Sequence, residues 1–549
     1  MELPSFGTLF PSRRKEEPST LSTYCGSPIK AITPGLPKLT TSLCPTCSRV
    51  IEATLNEKNG DVWMDKVCPE HGAMSFFVFR DANLFKEVER WTFGDERGFS
   101  NPPVTNAETC PTDCGMCNLH VSHTAIGMVD LTNRCNLKCP VCYANANVSG
   151  MVLEPSYDEV VTMLQKLRDL RPVPCQFVQF AGGEPTIHPR VLDIIKKTKE
   201  MGFTHIQCPT NGIRFADAEF TRKTVEAGLH TLYLQFDGFD DEIYRETRGA
   251  PLMELKMKAI ENMRANGARV VLVPTILKGL NDHQVGDIVR FAVENVDVVT
   301  GISFQPVCFS GRISKEELDR QRYTLGDLAH DVEDQTNGLM KVDRDWVALS
   351  SITPFSKLQS ALTGKHATTV SSHPHCSIGG FLFVDKDQKA TAMTEFLNYK
   401  ALVTDLNKLA EKTKPTSFQT YTKIRAYQAL KKHFNPKKAP KGLTWDRFLK
   451  SLDGYRSKEV ARAKNWQGTL FPTVFVAGMH FMDHYNYDVE RAKRCVVHYS
   501  TQDGKIYPFC TYNAGPYFRE KVEAGHQIPM AEYLGKTRGK PTSPTTGHA

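Results

Sequence analysis

The chain has 549 residues, 40% hydrophobic and 23% charged, a balance that excludes a disordered or low-complexity protein and leaves room for two to four domains. A net charge of +7 is modest and decides little by itself, and no apolar run reaches the roughly eighteen residues of a membrane span. The first residues lack the basic-then-apolar order of a secretory signal. The 16 cysteines are therefore expected as reduced, metal-binding thiolates of a cytoplasmic protein rather than as disulfides.

Residues 1–40 are rich in Pro, Ser and Thr and read as an arm that carries Cys25. Next come two knuckles, Cys44-Pro-Thr-Cys47 and Cys68-Pro-Glu-His71, joined by a segment with a turn at Asn59-Gly60. Two knuckles closing on one ion give tetrahedral sulfur ligation, as in zinc ribbons and rubredoxins. Cys44, Cys47 and Cys68 are three ligands; the fourth is Cys25 or His71, and spacing does not choose between Fe and Zn. The bland alternative is a purely structural staple. Cys110-Pro-Thr-Asp-Cys114-Gly-Met-Cys117 follows, a CxxxCxxC triad with no strand before it.

A second CxxxCxxC triad, Cys135, Cys139 and Cys142, stands directly after the strand-like run 124–131. Three thiolates on one loop can hold three irons of a 4Fe–4S cluster and leave the fourth open. An open iron at the C-terminal end of a strand is placed for chemistry. A zinc knuckle or a ferredoxin loop is the plainer alternative, although zinc usually takes two CxxC pairs. The strand before Cys135 makes this triad the start of a barrel and leaves Cys110, Cys114 and Cys117 as an auxiliary cluster site. Apolar, β-branched runs then recur near 126–131, 177–180, 205–208, 231–236, 270–275 and 302–305, with amphipathic segments between them. Six such units imply a parallel sheet curled into a partial barrel, with its working face at the strand C-termini. Gly182, Gly183 and Glu184 end the second strand, where paired glycines free the backbone for close approach. Asn211, Gln235, Asp237, Thr275 and Gln305 end later strands and point toward the mouth, as ligand contacts or as capping and turn residues. Cys175, Cys208 and Cys308 lack partners at ligand spacing and read as packing thiols.

Past residue 312 the alternation stops. Cys376, within His373-Pro-His375-Cys376, joins Cys495 and Cys510 as distal ligands that complete the auxiliary triad or build a second cluster. Three sites ligated wholly by cysteine need twelve thiols and ten remain, so His71, His373, His375 or an open iron must serve. The stretch 423–464, from Lys423 to Lys464, is strongly basic with interleaved aromatics. It suits anionic lipid headgroups at a peripheral membrane contact, or RNA, or is only a solvated helical face. Residues 535–549 read as a disordered tail.

CxxxCxxC followed a strand later by Gly-Gly-Glu-Pro identifies a resemblance to the radical S-adenosylmethionine (SAM) superfamily. That resemblance implies that the open iron chelates SAM, and that Gly182, Gly183 and Glu184 contact its amino group. Further segments, among them ISFQPVCFSGRI, HPHC and HFMDHYNYDVERAKRCVVHY, resemble the archaeal tetraether lipid synthases over about residues 44–513. The fold expected is α/β: a rubredoxin-like metal domain (41–100), an auxiliary-cluster loop (101–123), a partial (β/α)6 radical SAM barrel (124–312) and a C-terminal α+β auxiliary-cluster domain (313–534). The family further implies SAM, one SAM-binding and one or two auxiliary 4Fe–4S clusters, and a mononuclear Fe (or Zn). It also implies sp³–sp³ coupling of terminal lipid carbons, an anionic-headgroup lipid substrate and a low-potential electron donor, with no nucleic acid. The rival enzyme is a radical SAM methylase or peptide-modifying maturase with auxiliary clusters; the rival non-enzyme is an Fe–S electron-transfer or RNA-binding module.

Overall fold

The computed structural model describes residues 31–94, 98–144, 146, 149–309, 315–413, 419–454, 471–514 and 516–537. Cys25 lies outside them. The N-terminal part is a four-stranded antiparallel sheet, Lys38–Leu43, Val50–Lys58, Asp61–Cys68 and Gly72–Phe79. Asn59 and Gly60 both take positive φ (54° and 83°), as a two-residue hairpin loop requires. Lys66 locks this sheet to the C-terminal part. Its ammonium is buried and donates to the carbonyls of Leu43, His484 and Tyr485 at 2.8–3.1 Å.

The second sheet is a curled half-barrel of mixed direction. The six strands expected from the sequence form Ile126–Thr132, Phe177–Gly182, His205–Thr210, Thr231–Gln235, Arg269–Val273 and Val299–Pro306, parallel and adjacent in that order. Two further parallel strands arrive from the C-terminal part. Val497–Ser500 pairs with the first of the six and Thr473–Met479 with the last. Neither carries the strand-then-helix signature, because each joins a sheet edge that the preceding chain has already built. Beyond Thr473–Met479, Ser377–Val384 continues the sheet antiparallel.

Helices cover the outer face. In Tyr157–Asp169 a capping box of Ser156 and Glu159 satisfies the first turn, while Val160, Met163, Leu164 and Leu167 are buried. Each such side chain stabilises the packing by about 1.5–3 kcal/mol. A separate helical lobe comprises Thr353–Thr363, Tyr399–Lys412, Gln419–His433 and Trp445–Gly454. Residues 455–464 of the basic stretch, Tyr455 among them, lie outside the described residues; its other aromatics lie inside this lobe, where Phe434 and Phe448 stack at 5.0 Å and the Trp445 indole donates to the Tyr427 hydroxyl at 2.8 Å. Lys431, Lys432, Lys437, Lys438 and Lys441 are exposed. No helix among the described residues is long and apolar enough to cross a membrane.

Candidate active site

The first barrel strand, Ile126–Thr132, runs straight into the loop that carries Cys135, Cys139 and Cys142, and all three line a cavity of about 300 Å³ at the strand C-termini. Burial pushes the Cys135 thiol up to about 12 and also raises Cys139, where the Arg248 guanidinium opposes the shift. Such thiols shed their protons for a metal far more readily than to water. The three donors on one loop, with no disulfide, fit a 4Fe–4S cluster.

The glycine pair lies against this loop. The Gly183 amide donates to the Thr132 carbonyl at 2.7 Å, and the Glu184 amide donates to Arg134 O at 2.8 Å. A Cβ on Gly182 would sit 2.1 Å from Thr132 O, and one on Gly183 2.2 Å from Arg134 O. The glycines therefore permit two backbones to touch, and they line the cavity from there. The buried Glu184 carboxylate ties the second strand to the third. It accepts from the Thr210 hydroxyl at 2.8 Å and the Asn211 amide at 2.9 Å.

Asn211, Gln235, Thr275 and Gln305 also line the cavity, whereas Asp237 is fully buried beneath them. Asp237 accepts from Arg248 Nε and Nη2 at 2.6 and 2.9 Å, from the Thr247 hydroxyl at 3.0 Å and from the Thr275 amide at 3.0 Å. Burial works to raise its pKa, but the Arg248 guanidinium holds it below the usual carboxylate range. Arg248 itself faces the cavity and donates to Val141 O at 3.0 Å, so one guanidinium braces both the barrel floor and the cluster loop. Sequence reading missed Arg248; its signal was an arginine eleven residues past a strand-end aspartate, at the end of helix Asp241–Arg248.

Lys256 was missed as well. This fully buried lysine donates to Asn211 O and Gln235 Oε1, both at 2.6 Å, and burial pushes its pKa down to about 7. The unfolded chain therefore binds the extra proton between about pH 7 and the ordinary lysine value near 10.5. The cost is fully present below about pH 7 and fades as pH rises. Urea unfolding should show the natural chain gaining stability on Lys256→Met as pH rises from 7 to 9.5; an unchanged difference would refute this.

The remaining cysteines form separate groups. Cys110 and Cys114 share an electrostatic neighbourhood with Cys117. Cys495 and Cys510 do so with Cys376, and Arg491 lies beside Cys376 and Cys510. Cys110 and Cys510 both pack against the cluster that holds Tyr487. Of the histidines considered as ligands, His375 stacks on Phe85 at 3.6 Å and its Nε2 is 3.2 Å from Phe85 O. Cys175 and Cys208 are core thiols, whereas Cys308 lines the cavity.

At the N-terminal sheet, Cys44, Cys47, Cys68 and His71 bring their ligand atoms within 4.8 Å of one another. His71 Nδ1 is 3.6 Å from Cys44 Sγ and 3.4 Å from Cys68 Sγ. Three thiols and an imidazole are a structural zinc set. His71→Ala is expected to release the metal to a chelator about tenfold faster or more, read by zinc content after an EDTA challenge. Unchanged retention would hand the fourth position to another group.

A model of the radical SAM superfamily matches residues 129–292, and one of the HMPTM N-terminal zinc ribbon domain matches 36–80. Half-barrel and thiol loop thus define a radical SAM enzyme with an N-terminal zinc ribbon, whose cofactors are SAM, 4Fe–4S iron and a mononuclear metal. A protein of Methanocaldococcus jannaschii named 7,8-dihydro-6-hydroxymethylpterin dimethyltransferase is 39% identical over 500 residues, spanning 90% of this chain and 97% of its own length. The chain belongs to the family of that protein. GTP 3',8-cyclase of Limosilactobacillus fermentum is 27% identical over 183 residues, 33% of this chain and 54% of that enzyme. Streptococcus suis SuiB bound to S-adenosylmethionine aligns over 40% of this chain and 45% of its own, at 18% identity and a TM-score of 0.32.

The near-full-length relative overturns the expected lipid coupling, because its name describes methylation of a pterin. The physical reason for the error is plain. Cluster cysteines and Gly-Gly-Glu-Pro specify how SAM is cleaved, and the same inventory serves many acceptors. The tetraether and lipid-biosynthesis reading falls; the methylase rival stands.

Proposed function

We propose that this protein is a radical SAM methylase whose acceptor is a flat, pterin-like heterocycle. The supporting observation is an aromatic wall beside the cluster loop. Tyr143, directly after Cys142, stacks on Phe509 at 5.3 Å with planes 13° apart, and Phe481 stacks on Phe509 at 4.2 Å. Tyr499 extends the wall, and all four rings line the cavity. Parallel aromatic faces suit a planar ring.

A bound, reduced cluster on Cys135, Cys139 and Cys142 would supply one-electron cleavage of SAM. The chain's own residues supply placement. Arg248 and Asp237 fix the cluster loop against the barrel floor, Lys256 orients Gln235, and the aromatic wall excludes water from the acceptor. The Cys110/Cys114/Cys117 and Cys376/Cys495/Cys510 trios would hold the auxiliary clusters, and Tyr143 and Phe509 fill the space between the SAM triad and Cys510.

The test is anaerobic incubation of reconstituted enzyme with SAM, dithionite and 7,8-dihydro-6-hydroxymethylpterin. The expected outcome is deoxyadenosine that carries deuterium from a pterin labelled at its methyl-accepting carbons, the adenosyl radical having taken that hydrogen. Deoxyadenosine with unaltered pterin refutes the acceptor; no deoxyadenosine refutes the class of chemistry.

A further inference from the structure

Below the strand-end residues expected to meet SAM, the cavity has a floor of its own. Gln179 and Gln207 stand two residues before Ala181 and Pro209 on their strands, so they face the same way about 6.6 Å deeper. All four line the cavity, and both glutamines are half-buried rather than sealed off. The strand registers set the floor in one row: Tyr499 beside Met128, Met128 beside Gln179, and Gln179 beside Gln207. Tyr499 belongs to the aromatic wall, and two strand spacings, about 9.6 Å, separate its strand from that of Gln179. A flat ligand against the wall can therefore bring an edge to Gln179.

The two carboxamides are wired in one direction. Gln207 Nε2 donates to Gln179 Oε1, and Gln207 Oε1, which only accepts, takes the N–H of His205 Nε2 at 3.2 Å. The chain ends on the Gln179 amino group, whose one partner among the described residues is the Met128 thioether at 3.9 Å. A thioether sulfur is a weak acceptor, so the amino group keeps donor capacity for whatever fills the cavity. Turning the Gln179 amide over would set its N–H against that of Gln207. Its neighbour thus decides which end the occupant meets, and that end is a donor.

We propose that Gln179, oriented by Gln207 and His205, is a specificity residue for the acceptor ring: its amino group donates to the 4-oxo oxygen of a 4-oxopteridine. The carbonyl is the strongest acceptor that a neutral ring of this class offers. The proposal rests on the methylase reading above and goes beyond it, because it names the atom recognised and the residue that recognises it. A 4-amino ring would set N–H against N–H and bind weakly.

The experiment titrates SAM-loaded, reconstituted holoenzyme by calorimetry with 7,8-dihydro-6-hydroxymethylpterin and with its 4-amino analogue. The natural enzyme should bind the oxo compound about tenfold or more tightly, the scale of a hydrogen bond lost with its donor left unpaired. Gln179→Glu places an acceptor where the amino group was and should erase or invert that preference, with iron content read alongside as the check on folding. Gln179→Leu keeps the volume, removes the amide and should bring the two affinities together; it serves where glutamate disturbs the fold. A preference that survives both substitutions overturns the proposal. So does equal binding of both compounds by a natural enzyme whose deoxyadenosine takes deuterium from the pterin; neither result touches the methylase reading. A natural enzyme that neither binds the pterin nor takes deuterium from it overturns both.

Discussion

Cys139→Ala is expected to reduce deoxyadenosine formation from SAM to background and to lower bound iron by about four atoms per chain, one cubane's worth. Cys139 lines the cavity beside Arg248, and alanine would leave one iron without a protein ligand at a site that already leaves another open to SAM. The control is Cys175→Ala. That thiol is fully buried in the core and donates to Phe177 O at 3.2 Å, so the variant should keep all iron and lose only about 1 kcal/mol of stability. Iron analysis and an anaerobic product assay read both. Cleavage that survived Cys139→Ala but vanished in Cys114→Ala would transfer the SAM chemistry to the other triad.

The second large effect concerns the Asp237–Arg248 pair, whose side chains are 0% and 10% exposed. Asp237→Leu strands a buried guanidinium and leaves the Thr275 amide short of an acceptor, while the Thr247 hydroxyl keeps Ile243 O at 2.7 Å. A loss of about 3–5 kcal/mol is expected, measured by urea unfolding. Asp237→Leu with Arg248→Met should recover a good part of it, since an apolar pair replaces an orphaned charge. Activity should not recover, because Val141 O and with it the cluster loop lose their anchor. If the double variant proved as unstable as the sum of the singles, the pair would not be the coupled unit that its geometry implies.

The barrel was legible because its six internal strands each carry a local record: an apolar run, a polar strand end and an amphipathic segment. The two flanking strands were not. Thr473–Met479 and Val497–Ser500 owe their place to sheet edges supplied by residues far away in the chain, and no local periodicity encodes a distant edge. The cavity-lining residues at strand ends were found by position, and Arg248 and Lys256 were missed for the complementary reason: both project from helices toward strand ends from below. Gly182 and Gly183 were recognised for close approach to a ligand, and they line the cavity as well as serving a second close approach. They admit the backbone of Thr132 and Arg134. The proposed acceptor was the least legible part, since that reading rests on side chains such as Tyr143 and Phe509 that carry no motif.

Both flanking strands lie more than 160 residues beyond the sixth strand, Val299–Pro306, and Cys495 and Cys510 lie with them. A chain emerging from the ribosome thus exposes one raw sheet edge until residues 473–479 are made and the other, together with the Cys135 loop, until residues 497–500 are made. High contact order makes such a molecule slow to close and prone to association while it waits. Iron delivered early would meet thiols with no enclosing wall, so cofactor loading is expected to follow release, and overproduction should favour iron-poor aggregates unless synthesis is slowed.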